Sequence, residues 1–140
     1  VTPAGYEYFD VAADVGVRAW GRSRSEAFAQ AALGVLALAV APEEVEERES
    51  REVRAQEDSL EGLLVAWVNE CLYVHEIEGF AVRRVEVAEC TPRLVYGRLH
   101  GEALDPRRHR RGTVVKAATR HQVAVVEHPD RVEVRLIVDV

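Results

Sequence analysis

Apolar and polar residues alternate near the start of the chain, then recur at helical spacing, then alternate again to the end. Residues 5–10 and 15–21 read as strands. In the second, Val15, Val17 and Ala19 fall on one side and Gly16, Arg18 and Trp20 on the other. Ser23 followed by Glu26 has the form of a capping box, so a helix is expected from there to about Val40, with Pro42 ending it. Its stripe (Phe28, Ala31, Ala32, Val35, Leu36, Ala39) is rich in small residues, which lets a helix approach a sheet closely. A second helix is predicted by Leu60, Leu63, Leu64, Trp67, Val68, Cys71, Leu72 and His75, all on one stripe at offsets of three and four. Asp58 with Glu61 is expected to cap it and Gly79 to close it. Between the helices the Glu-rich run 43–52 reads as a solvated loop entering an edge strand near 50–56. From Phe80 the period becomes two, and strands are expected at 80–89, 93–100, 113–118, 121–127 and 131–138, separated by Thr-Pro, Asp-Pro and His-Pro-Asp breaks. Two helices followed by a run of strands predict an α+β fold in which the helices pack on one side of a mainly antiparallel sheet. A single domain over 1–140 is expected.

Composition narrows the function classes. The 140 residues are 48% hydrophobic and 30% charged, inside the globular range. A formal net charge of -6 argues against a protein that grips nucleic acid across a broad surface. No apolar run approaches the length of a membrane span and no secretory pattern opens the chain, so a cytoplasmic location without a membrane partner is expected. No Met is present, so an initiator upstream of Val1 is expected. Cys71 and Cys90 are too few for a zinc site and are expected as reduced thiols. No Ser or Cys stands in a nucleophile motif and no glycine cluster forms a phosphate loop, which leaves an enzyme poorly supported.

The remaining candidates are few. Asp10 and Asp14 bracket the link between the first two strands, and Asp139 ends the last one beside the α-carboxylate of Val140. Converging carboxylates suit a hard cation such as Ca²⁺ or Mg²⁺. The residues alone favour the plainer reading, in which Asp14 makes a turn and Asp139 is a solvated end. The stretch Asp105–Thr113 carries Arg107, Arg108, Arg110, Arg111 and His109, a composition suited either to phosphate contact or to a solvated loop. His75 and His121 are candidates for proton transfer. All but one of the 18 Lys and Arg residues are Arg, and the exception is Lys116. A compact ammonium in a chain that otherwise uses planar guanidinium groups marks that position.

Taken together, several blocks resemble the archease family. They are D-V-A-A-D-V-G-V-R-A-W-G (Asp10–Gly21), S-R-S-E-A-F-A-Q-A-A-L-G (Ser23–Gly34), L-E-G-L-L-V-A-W-V-N-E-C-L-Y (Leu60–Tyr73), E-G-F (Glu78–Phe80), the run from Asp105 through V-V-K-A-A-T, and the closing V-D-V. The resemblance implies a non-enzymatic partner of the RtcB-type RNA ligase, speeding formation of the ligase–GMP intermediate and permitting multiple turnover in tRNA splicing and RNA repair. It implies a divalent cation, Ca²⁺, on Asp14, Asp139 and Val140, and ligase activation through Asp14, Lys116 and Asp139. The ligase is the expected protein partner, with RNA met only indirectly or weakly; the loop residues Arg107, Arg108, Arg110 and Arg111, richer in Arg than the family's usual sequence, are candidates for contact with RNA or with the ligase. The family commonly has Asp-His-Thr-Ala-Asp where this chain has Asp10-Val11-Ala12-Ala13-Asp14, which removes two polar side chains beside the expected cation. A general chaperone or scaffold for RNA-processing proteins with a structural metal, and a metal-dependent phosphoesterase, are the alternatives.

Overall fold

The computed structural model describes residues 3–140. The chain runs β1 (Gly5–Val11), β2 (Asp14–Gly21), α1 (Arg24–Ala39), a single 3-10 turn (Pro42–Glu44), β3 (Glu49–Gln56), α2 (Leu60–Ile77), β4 (Phe80–Cys90), β5 (Leu94–Ala103), β6 (Ala117–Glu127) and β7 (Val132–Asp139). The two helices and the strands bear out the α+β reading, but the strands divide into two sheets rather than one. The first has the order β1-β2-β7-β6 and the second β3-β5-β4, with every pairing antiparallel. Among the described residues no helix is long and apolar enough to cross a membrane.

The helices join the two sheets. α1 lies on β1, β2 and β7 and also meets β4, while α2 packs against β6 and β3. All six residues of the α1 stripe are buried, as is the α2 stripe apart from the half-buried Leu60. Burying each large side chain of this kind contributes about 1.5–3 kcal/mol. Trp67, fully enclosed on α2, donates its indole N–H to the carbonyl of Phe28 on α1 at 3.0 Å, so a polar atom in the core is satisfied and the helices are tied together.

Local signals act as expected at α1, where the Ser23 hydroxyl accepts from Glu26 N–H and the Glu26 carboxylate accepts from Arg22 N–H. At α2 the cap is Ser59 rather than Asp58. Its hydroxyl accepts from Gly62 N–H at 3.0 Å, one residue later than the Asp58–Glu61 spacing suggests. Gly79 ends α2 at φ +65, in the left-handed region that costs glycine little. Both cysteines are free thiols. The expected strands 113–118 and 121–127 become one strand, β6. Its pairing with β7 is interrupted between Thr119 and Ala124, where Gln122 takes φ 56. Residues 113–116 stay outside the ladder because the end of α1 holds this segment: Gly112 and Thr113 N–H donate to the carbonyls of Ala39 and Leu38.

The Glu-rich run and the Arg-rich loop are bound to each other. Glu102, at 3% exposure, accepts hydrogen bonds from both terminal nitrogens of Arg108, from Arg48 Nε, from Glu46 N–H and from His109. His109, at 1% exposure, accepts Asp105 N–H at Nδ1, which leaves Nε2 to carry the proton it donates to Glu102. The Arg108 guanidinium, followed by Glu46 N–H and His109, holds the Glu102 carboxyl at about 2 against an ordinary 4.5, despite its burial. A depressed folded-state value means that this stabilisation is complete above pH 4.5 and is lost as the pH falls toward 2. Glu102→Gln should therefore lower stability at neutral pH by about 3 kcal/mol. It should also flatten the acid loss between pH 4.5 and 2, as read by denaturant melts across that window.

Candidate functional site

The β2–β7 ladder pairs Val15 with Val138 and Gly16 with Ile137. One further step along the same register sets Asp14, the first residue of β2, opposite Asp139, the last of β7. Asp139 is also paired with Ala117 of β6, and Asp14 with Val11 of β1. Val11, Asp14, Asp139 and Ala117 thus form one row across the end of the sheet. Asp14 and Asp139 lie one step beyond the last β2–β7 pair, Val15–Val138, and share a face by strand alternation. Asp10 does not join them. It pairs with Val15, whose side chain lies on the other face with Val17 and Ala19, against α1.

The turn that presents Asp14 is short. Ala12 and Ala13 alone connect β1 to β2, and Ala13 adopts φ 66, an unfavourable conformation for a residue with a Cβ. Two residues along from Asp14, on its face, the Phe9 ring covers Gly16 so closely that a Cβ there would lie 2.2 Å from a ring carbon. Arg18 stands over the same ring at 5.5 Å. The carboxylate row therefore borders a packed apolar surface on one side and the open end of the sheet on the other.

Lys116 reaches this end from the opposite direction. Its backbone N–H donates to the carbonyl of Asp139 at 2.9 Å, just before β6 begins. Its exposed side chain lines a groove between this segment and α2. Among the described residues Lys116 has no ion-pair partner. The position of the segment depends on Asn69, which sequence reasoning did not single out. The Asn69 amide accepts Ala118 N–H at 2.7 Å and donates to Ala118 carbonyl at 3.3 Å, pairing with the free edge of β6 as another strand would. The available signal was a polar residue within the most apolar helix of the chain.

The Arg-rich loop offers less than its composition suggests. Arg108 is committed to Glu102 and Arg111 is paired with Glu76 at 3.3 Å. Arg110 N–H is held by Glu44 and Arg107 N–H by Asp105, while the side chains of Arg107 and Arg110 are exposed. The proton-transfer candidates are not brought together either. His75 is buried with Nδ1 on the Phe80 carbonyl, and His121 is exposed in the interruption of β6. Among the described residues no three His, Cys, Asp or Glu side chains gather as a metal cluster.

A model of the Archease protein family (MTH1598/TM1083) matches residues 6–140. The chain belongs to the archease family. It is 39% identical over 129 residues to the protein archease of Thermococcus gammatolerans, covering 89% of this chain and 90% of the relative. The protein archease of Sulfurisphaera tokodaii is 36% identical over 137 residues, covering 96% and 98%. The solution structure of protein 1598 of Methanobacterium thermoautotrophicum superposes with a TM-score of 0.79 at 30% identity, covering 97% of this chain and 99% of that one. The crystal structure of an archease from Thermotoga maritima, described as a "possible chaperone", has a TM-score of 0.63 at 18% identity, covers 94% of both chains, and is similar in fold.

In this archease-family chain the Asn69 clamp makes a direct prediction. Asn69→Ala removes the partners of both the Ala118 N–H and the Ala118 carbonyl, at an expected cost of about 1–2 kcal/mol. Amide hydrogen exchange at Ala118 and Lys116 should accelerate more than exchange in the β2–β7 ladder.

Proposed function

We propose that this chain is a protein cofactor of an RtcB-type RNA ligase. It promotes ligase guanylylation and repeated turnover in tRNA splicing and RNA repair, and it carries a divalent cation at the end of the first sheet. The observation that carries the reading is the β2–β7 register, which draws Asp14 and Asp139 from opposite ends of the sequence to one place, with Lys116 hydrogen-bonded to the same strand end.

The donor set fits a hard cation. Asp14 and Asp139 contribute carboxylate oxygens, main-chain oxygens of Val140 lie next to them, and neither His nor Cys is among these donors. Two carboxylates on adjacent strands repel each other unless positive charge stands between them. With two protein side chains as ligands, water and main-chain oxygen would complete the shell, as Ca²⁺ tolerates. Such a cation supplies concentrated positive charge. Asp14 and Asp139 orient it, and Lys116 adds a mobile point charge that attracts a carboxylate or phosphate of the partner. A scaffold acting on many proteins requires no such convergence of charge, and a metal-dependent phosphoesterase would need a general base placed to activate water beside the carboxylates.

Two measurements test the reading. Ca²⁺ should raise the melting temperature of the wild-type chain, by the equivalent of about 2.7 kcal/mol at a hundredfold excess over Kd. The same addition should leave Asp14→Ala and Asp139→Ala unmoved. In a ligase–GMP time course, Lys116→Ala should melt within about 1 kcal/mol of wild type and lose most of the stimulation. A folded Lys116→Ala that stimulates fully removes the role assigned to it, and turnover of a phosphoester by the chain alone would favour the enzyme alternative.

A further inference from the structure

α2 carries a second row of side chains at four-residue spacing, Asn69, Tyr73 and Ile77, off the stripe that faces the core. Asn69 is used up by β6, but Tyr73 and Ile77 are 54% and 65% exposed. Val114, in the segment that runs alongside, is 60% exposed. These are the three most exposed large apolar residues among those described, and two of them, Tyr73 and Ile77, line one groove of about 270 Å³ together with Leu72, Val115 and Lys116. Apolar side chains concentrated at one place on a protein surface mark an interaction site more often than scattered ones do.

Charge identifies what the groove accepts. Its carboxylate, Glu76, is already paired with Arg111, whereas Lys116 has no counter-charge among the described residues. An apolar floor with one unsatisfied ammonium at its rim matches a segment that presents an aliphatic or aromatic side chain next to a carboxylate. The groove is also continuous with the proposed site, because the residue that rims it is hydrogen-bonded through its backbone to Asp139. We propose that the groove lined by Tyr73, Ile77 and Lys116 is the docking surface for the partner ligase. The groove seats an apolar-acidic segment of that enzyme while the Asp14–Asp139 end of the sheet faces its reacting centre. This inference rests on the ligase-activation reading.

Docking and activation separate in a titration. Ligase–GMP formation is followed against increasing concentrations of wild type, of Tyr73→Ser/Ile77→Ser, of Ile77→Arg alone, and of Val126→Ser as an exposed apolar control on β6. Each protein is first checked by thermal melt, and Ile77→Arg serves if the double variant does not fold. A docking role predicts that the double variant needs about tenfold more protein for half-maximal stimulation and reaches the wild-type plateau. Val126→Ser should behave as wild type. Unchanged half-saturation in folded groove variants, with wild type stimulating normally, overturns the docking surface and leaves the ligase reading standing. A lowered plateau at unchanged half-saturation overturns it equally. Wild type that neither binds nor stimulates the ligase ends the ligase reading and this occupant with it. Wild type that sediments as a dimer, with the groove variants monomeric, assigns the surface to a second copy of the chain and overturns the proposal.

Discussion

The antiparallel pairing of β2 with β7 is the constraint on which the rest of the molecule depends. It joins the first twenty residues to the last ten and places both strands at the centre of the first sheet, with β1 and β6 outside them. Val17, Ala19, Val134, Leu136 and Val138 are thereby buried on one face as the surface on which α1 packs. The same register sends Asp14 and Asp139 to the other face, because side chains alternate strictly along a strand. A slip of one residue would turn every valine outward and separate the two carboxylates. Core packing and the carboxylate pair are consequences of a single alignment.

Charge is distributed by the fold in two ways. Most arginines act as ties over the surface and between loops: Arg108 and Arg48 on Glu102, Arg84 on Glu47, Arg24 on Glu127, Arg120 on Glu57. The exposed pairs among them contribute little individually, whereas at the Glu102 cluster the carboxylate and His109 are enclosed while Arg48 and Arg108 reach in from the surface. Lys116 takes no part in this pattern. An arginine at that position could be drawn to a neighbouring carboxylate by its planar fork, while an ammonium on a flexible stem remains available at the rim of the groove.

The edge of the first sheet is managed by a side chain. Among the described residues β6 has one strand neighbour, β7, and the interruption at 120–123 further shortens its regular pairing. Asn69 pairs the outward-facing N–H and carbonyl of Ala118, and the carbonyls at the end of α1 hold 112–113, so the segment bearing Lys116 is fixed from both sides without belonging to a strand. This arrangement discourages pairing with another chain while leaving the side chains of Tyr73, Ile77 and Val114 uncovered.

Much of the architecture was legible from local pattern. The Ser23 cap and the Gly79 stop are set by near neighbours in the chain, and the stripes of α1 and α2 and the alternation in β2, β5 and β7 record, through the local period of helix and strand, which face is buried. The family blocks likewise marked Asp14, Lys116 and Asp139. What local pattern left undecided depends on distant partners. It did not separate the strands into two sheets, because alternation records which face is buried and not which strand lies alongside. It displaced the α2 cap by one residue, since Asp58 and Ser59 can both cap and only the path of the backbone selects between them. It did not distinguish Arg108 and Arg111, bound to Glu102 and Glu76, from Arg107 and Arg110, because ion pairs form across space. That Asp14 stands opposite Asp139, and that Asn69 holds the strand beside Lys116, follow from register and packing between residues tens to more than a hundred positions apart, and only the folded chain sets those.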